Sequence, residues 1–265
     1  MTWGELIWDI TIGFAFIGGA VAIALGSYFL TRMVAGRFEH ERTQDLAGSV
    51  TFRVAGLHAL IVALIFAQEM VNYQTLRNGF VAEATAVADI FFDLERYEAG
   101  AADEVRVQLA RYVDTVVKDD WRELADNRRV SEGGYALFET IYNAVLDLKP
   151  ETLRQETLRD HMVQRVHAIT TYRQARTNAA RDGVLPLFWL AATVGLILVS
   201  APYFVFPPTP LHISLLTVFA AYTGLVLFIV YSFTDPFSAP GAIQPTAFLH
   251  LLEGEIGRWV DGPPR

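Results

Sequence analysis

LPLFWLAATVGLILVSAPYFVFPPTPLHISLLTVFAAYTGLVLFIVYSF, residues 185–233, holds no Asp, Glu, Lys or Arg, and the flanking charges are Asp182 and Asp235. It is long enough for two passes of the ~20 apolar residues that cross ~30 Å of hydrocarbon. Its midpoint is Phe206-Pro207-Pro208-Thr209-Pro210, a run in which a helix cannot continue. The stretch therefore reads as a membrane hairpin. Residues 185–206 cross one way, and residues 211–233 return at once. Pro186 falls in the first turn of the outgoing helix, where a missing N–H costs little. Asp235-Pro236 stops the returning one.

Working outward, two more apolar runs lie near the N-terminus. Residues 10–30 form a first span, with Trp3 and Trp8 at its entrance and Tyr28 near its exit, as interfacial aromatics are placed. Gly18, Ala22 and Gly26 recur every fourth residue and mark a ridge for close helix contact. A polar connector, Arg32 to Thr51, leads to a second span at residues 52–73, where Ala59, Ala63 and Ala67 repeat the small-residue spacing. Another face of that helix carries His58, Val62, Ile65, Glu69 and Asn72 at alternating steps of four and three, one stripe of a helix. The fold class expected is all-α: a polytopic membrane protein with four transmembrane helices.

Composition agrees. The 265 residues are 52% hydrophobic and 19% charged, with a mean hydropathy of +0.30, whereas soluble domains carry about 25% charged residues. The net charge of −8 makes nucleic acid an unsuitable partner, since phosphate binding needs a basic surface. Without cysteine there is neither a disulfide nor a thiolate metal site. Glu5 and Asp9 stand where a cleaved leader would be basic. No nucleophile elbow, zinc-binding helix pair or phosphate loop occurs, so neither an enzyme nor a cofactor is expected.

Most of the charge lies between the two apolar pairs. Residues 1–76 hold the first pair of spans, 77–184 an inserted helical-bundle domain, 185–233 the second pair, and 234–265 a tail. In the inserted domain, Val81, Ala84, Ala88, Phe91 and Phe92 carry the helical period on from the second span, as one long helix would. Tyr97-Glu98-Ala99-Gly100 marks its break. Val105, Leu109, Tyr112, Val113 and Val116 give the next apolar face. Ser131 with Gly133-Gly134 marks a turn, and Lys149-Pro150 ends a helix through Leu146. Leu158, Met162, Val166, Ile169 and Tyr172 line the last helix. In the tail, residues 245–260 form an amphipathic segment with Phe248, Leu249, Leu252, Ile256 and Trp259, lying on the bilayer or against the inserted domain.

Four crossings put both termini and the inserted domain on one side. Arg32, Arg37 and Arg42 after the first span favour an outside N-terminus. Arg77, Arg173, Arg176, Arg181 and Arg258 favour a cytoplasmic domain, although charges within long domains weigh little. The expectation adopted is a bacterial inner membrane with the domain and both termini cytoplasmic.

Several local motifs resemble the bestrophin-like family of bacterial and plant membrane proteins. They are Leu109 with Tyr112-Val113, the acid–indole pair Asp120-Trp121, Arg173 and Arg176 ahead of Leu185-Pro186 and Trp189, and Asp235-Pro236-Phe237 after the fourth span. More distantly the chain is similar to the bestrophins proper, pentameric ion channels whose second helix lines an axial pore. That resemblance implies a homo-oligomer, a pentamer, with membrane lipids and inorganic ions as its partners. The bestrophin Pro-Phe-Gly segment leads into an acidic calcium-binding run. Here it reads Asp235-Pro236-Phe237-Ser238-Ala239, with no acidic run following, so calcium gating is not implied.

Alternative readings stand for the candidate sites. The stripe of His58, Val62, Ile65, Glu69 and Asn72 either lines a pore, with Val62 and Ile65 as a hydrophobic constriction, or packs, with Glu69 paired in the headgroup zone; a proton or ligand site is a third reading. His58 alone is either a pH-sensitive group or a hydrogen-bond partner of a neighbouring helix. Arg173, Arg176 and Arg181 either contact lipid headgroups or draw anions into a vestibule. Asp120 and Trp121 read as a structural cap and packing pair. His161 and His167, six apart, lack the spacing of paired helical metal ligands. An ion channel and a non-conducting scaffold or sensor share these features.

Overall fold

The computed structural model describes residues 3–35, 42–97 and 100–263. The expected break at Glu98-Ala99, the connector residue Arg37 and the side chains of Trp3, Glu5 and Arg42 lie outside the described residues. In chain order the α-helices are α1 (Trp3–Ala35), α2 (Arg42–Tyr97), α3 (Gly100–Thr115), α4 (Trp121–Asn127), α5 (Glu132–Leu146), α6 (Leu153–Arg181), α7 (Pro186–Ser200), α8 (Pro210–Thr234) and α9 (Thr246–Glu253). A π-helical turn, Val116–Asp120, joins α3 to α4, and 3-10 turns follow α7 (Ala201–Val205) and α9 (Ile256–Trp259). Among the described residues, four segments are long and apolar enough to cross a membrane: Ile7–Ala35, Gln44–Tyr97, Pro186–Val205 and Pro210–Thr234. Their most apolar stretches have mean hydropathies of 2.0, 2.1, 1.9 and 2.3. The chain is all-α and polytopic.

Residues 42–51, expected as connector, are already helical. The sequence Arg42-Thr-Gln-Asp-Leu-Ala-Gly-Ser-Val50 has no proline, and Asp45 sits in the first turn, where its charge suits the helix dipole. At its other end α2 runs unbroken to Tyr97, so one helix contains the whole second span and the segment that follows it.

Two compact units divide the chain. Residues 1–72, 184–234 and 239–241 make the first; residues 73–183, 235–238 and 242–265 make the second. In the first unit α1 packs on α7 and α8 around Ala20, Ala24, Tyr28, Leu196, Leu216 and Ala220. An added Cβ at Gly18 or Gly26 would meet nothing within 4 Å, so among the described residues of the single chain that ridge is uncovered. Gly224 of α8 makes the close approach instead. A Cβ there would fall 2.7 Å from the Ile17 Cα and 2.8 Å from the Phe16 carbonyl oxygen.

The hairpin turn shows how proline is tolerated here. Pro202 lacks the N–H that α7 would need to continue, and the chain tightens to 3-10 geometry at Ala201. Pro207, Pro208 and Pro210 leave nearby carbonyls without backbone donors. Arg32 of α1 supplies them, donating to Phe204 O at 2.8 Å and Phe206 O at 3.0 Å. Tyr28 adds a hydrogen bond to Phe206 O at 3.0 Å. Tyr28, expected as an interfacial aromatic, is thus buried as a clasp on the turn.

In the second unit the core joins Phe80, Val87, Phe91 and Leu94 of α2 to α3, α5, α6 and the tail. Of the expected stripe of α2, Ala84 and Phe91 are buried and Ala88 and Phe92 pack at its edge, while Val81 is exposed and Phe80 takes its place in the core. Gly133 and Gly134 belong to the first turn of α5, capped by the Ser131 hydroxyl accepting from Gly134 N at 2.9 Å. Thr152 and Gln155 form a capping box that starts α6. The tail docks on this unit: Phe248, Ile256 and Trp259 lie in its core. Arg106 reinforces that docking, stacked 3.9 Å from the Trp259 ring and 4.3 Å from Phe91.

Because Gly224 leaves no room for a methyl against the α1 backbone, Gly224→Ala should cost about 1–3 kcal/mol. Thermal unfolding in detergent should show a lowered midpoint, while Gly18→Ala, in open space, should leave it unchanged.

Candidate functional site

Within the first unit, α2 has two unlike faces. His58, Val62 and Ile65 are 4%, 7% and 7% exposed. All three face the interior of their own chain, where the His58 ring lies against Gly195 of α7 so closely that a Cβ would collide with it. Within the single chain these three side chains therefore pack against their own protomer. Glu69 is half-buried and Asn72 exposed, with Gln68 donating to the Asn72 side-chain oxygen at 2.9 Å.

The opposite face is bare. Leu57, Leu60 and Leu64 are 64%, 56% and 62% exposed, and Arg53, Gln68 and Val71 continue the same line at helical spacing. The line is thus charged at one end, apolar through the middle and amide-bearing towards the other. Sequence reasoning selected the inward stripe because it too is apolar with polar ends. Which face packs depends on α7 and α8, and a single helix cannot reveal that.

A second constellation lies wholly inside the second unit. Arg176 of α6 is fully buried, with Nη2 donating to Asp120 Oδ2 at 3.0 Å and lying 3.5 Å from Glu83 Oε1. Asp120 ends the π-helical turn. Its other oxygen accepts from the Ser131 amide at 2.9 Å and the Ser131 hydroxyl at 2.5 Å. Gly134 is required beside it, since a Cβ would stand 2.5 Å from Asp120 Oδ1. Tyr112 donates to Glu83 Oε1 at 2.8 Å. Arg173 lies one turn earlier on α6, 7% exposed, with its guanidinium 4.4 Å from the Phe138 ring. Arg176 is thus held in the core by two acids, and Arg173 by stacking on the ring of Phe138.

Arg181 is exposed and donates to Arg128 O at 3.2 Å. Arg128, in left-handed backbone conformation, bonds Ala180 O and pairs with Asp235 at 2.6 Å. Asp235 in turn accepts from Phe237 N at 3.2 Å. Trp121 donates to Ile243 O at 2.8 Å and packs edge-on against Phe80, Phe237 and Phe248. Ile243 N closes the loop by donating to Pro236 O at 2.8 Å. The motif residues Asp120, Trp121, Asp235, Pro236 and Phe237 therefore belong to one continuous set of contacts.

Electrostatics assign the charges. Burial pushes the Glu83 carboxyl up, with Arg176 and the Tyr112 hydroxyl opposing. Burial works against the Arg176 charge, but Glu83, Tyr112 and Asp120 more than offset it. Burial and the neighbouring Glu83 hold the Tyr112 phenol well above its ordinary range, so it acts as a donor. Glu83 and Asp120 both face the Arg176 guanidinium and together hold its charge in the core. Sequence reasoning missed Glu83 and the buried state of the arginines. The signal was present on α6, where Met162, Val166, Ile169, Arg173, Arg176 and Ala180 form one stripe.

The Bestrophin-like domain family matches residues 18–248 of the chain. No curated protein matches it. Among solved structures, a bacterial bestrophin homologue from Klebsiella pneumoniae is similar at 13% identity with a TM-score of 0.68, covering 95% of this chain and 99% of that one. A point variant of that homologue gives 15% identity and a TM-score of 0.67, covering 94% and 98%. At such identity the likeness establishes the fold.

Asp120→Asn removes the charge that balances Arg176 and should destabilise by about 3–5 kcal/mol, the cost of breaking a buried pair. Glu83→Gln keeps a side-chain oxygen for the Tyr112 hydroxyl, and Glu83 lies 3.5 Å from the Arg176 nitrogen where Asp120 lies 3.0 Å, so it should cost less than Asp120→Asn. Denaturation of the purified variants followed by circular dichroism checks the contrast.

Proposed function

The chain belongs to the bestrophin-like domain family, and from that premise we propose that it is an oligomeric ion channel whose path is lined by α2. The carrying observation is the bare face of α2. Arg53, Leu57, Leu60, Leu64, Gln68 and Val71 form one line that no other part of the described chain buries. An apolar constriction between polar ends is a known way to gate by dewetting. A lipid-facing surface has no use for the charged and amide ends, which are costly in hydrocarbon. Glu69 and Asn72 sit beside the amide end and complete a polar mouth. Inorganic ions are the permeant species, and lipids are the solvent of the outer surface.

Oligomerisation is supported by the ridge of Gly18 and Gly26, which is open in the single chain and suited to close contact with a second copy. A pentamer is the assembly implied by resemblance to bestrophins. We further propose that residues 77–184 act as an inserted domain and that this domain and both termini lie on the cytoplasmic face of a bacterial inner membrane. A non-conducting scaffold would share the fold but not the bare, polar-ended stripe.

Reconstituted liposomes should release trapped salt or report it through an ion-sensitive dye, and Leu64→Ala should raise the flux severalfold by widening the constriction. Ile65→Ala removes buried packing and should cost about 2–5 kcal/mol of stability instead. Absence of flux from intact oligomers in every salt, with Leu64→Ala equally silent, would refute the channel and favour the scaffold.

A further inference from the structure

Inside the second unit lies a cavity of about 450 Å³, walled by Tyr97 at the end of α2, by Glu104, Val105 and Gln108 of α3, and by the carboxyl end of α5. Sites for small organic molecules span about 300–1,000 Å³. Three ionic side chains stand on the wall, and all three are exposed: Glu104 of α3, Asp147 at the C-cap of α5, and Lys149 two residues further on. Among the described residues none of these side chains has an ion-pair or hydrogen-bond partner. Their neighbours do have partners. Asp103 pairs with Arg106 at 3.7 Å, and Arg159 donates to the Leu146 carbonyl oxygen at 2.7 Å.

The rest of the wall is of two kinds. Val105 and Leu148 are buried and supply apolar surface. Tyr97 is 2% exposed, yet its hydroxyl has no hydrogen-bond partner, and neither has the side-chain oxygen of Gln108. Buried polar groups without partners are uncommon, and each calls for an explanation. The negative end of the α5 dipole adds to the Asp147 carboxylate in favouring a cation.

The exposed charges select the occupant. Two carboxylates and one ammonium are matched by a molecule with two cationic groups and one anionic group. A neutral amino acid leaves one carboxylate unmatched, an acidic one adds a like charge, and a diamine sets a cation against Lys149. We propose that this cavity binds a basic α-amino acid of the lysine and arginine class. Its two cationic groups lie on Glu104 and Asp147, its carboxylate on Lys149, and its methylenes along Val105 and Leu148. The site lies wholly within the second unit and does not depend on conduction.

The test is isothermal titration calorimetry on the full-length protein in nanodiscs of phosphatidylcholine. The probes are L-lysine, L-arginine, L-norleucine (which lacks the side-chain ammonium) and cadaverine (which lacks the carboxylate). Saturable binding of both basic amino acids is expected, with norleucine and cadaverine each weaker by about tenfold, the scale of one charge-assisted hydrogen bond. Glu104→Gln and Asp147→Asn should each weaken L-lysine by a similar factor. Lys149→Met should weaken L-lysine and leave cadaverine bound no more weakly, a split that loss of structure does not produce. All three side chains are exposed, so the variants should keep the unfolding midpoint of the parent. Absence of saturable heat with either basic amino acid would overturn the proposal. So would cadaverine binding as tightly as L-lysine, or L-lysine binding indifferent to Glu104→Gln and Asp147→Asn.

Discussion

Hydrocarbon cannot hydrogen-bond to a peptide group, and the architecture follows from that single deficiency. Residues 7–35, 44–72, 186–205 and 210–234 satisfy their amides along their own helices. Where prolines break the pattern, side chains step in. Arg32 and Tyr28 give Phe204 and Phe206 the donors that Pro207, Pro208 and Pro210 cannot provide. That clasp also ties α1 to the turn of the α7–α8 hairpin. Close approach at Gly224 and the small core of Ala20, Ala24 and Ala220 complete the helix packing, which in lipid relies on fit more than on expulsion of water.

The second unit meets a related demand. Burying a guanidinium is tolerable only with a counter-charge and hydrogen bonds at hand. Arg176 has Asp120, which is itself fixed by the Ser131 amide and hydroxyl. The π-helical turn that ends at Asp120 is where this acid is aimed inward, and Gly134 leaves it space. Trp121, the next residue, fastens the tail through Ile243, while Arg128 holds Asp235. Motif residues far apart in sequence are thus one structural device, which accounts for their joint appearance without assigning them any contact with ions.

Much of the fold was legible in the sequence because a chain free of charge over a membrane's thickness is stable in lipid and poorly soluble in water. The hairpin, the continuation of the second span into a longer helix, the stop at Leu146 and the apolar face of α3 all rest on local rules, and each has its counterpart in the structure. What the sequence left hidden shares one cause. The exposure of Val81 and the inward direction of His58, Val62 and Ile65 are both questions of which face meets a neighbour. Periodicity finds stripes, but tertiary contacts choose among them. Arg173 and Arg176 differ: position beside a membrane span suggested lipid, while their place in the apolar stripe of α6 signalled their burial.

Conduction turns on which side of α2 meets the ions, and the absence of cysteine from the native chain makes that measurable. Single cysteines placed at each position from 53 to 72, reconstituted and treated with a water-soluble thiol reagent, would report access through loss of flux. Block is expected at positions 57, 60, 64, 68 and 71, repeating with the helix. Block centred on positions 58, 62 and 65 would contradict the path proposed along the bare face.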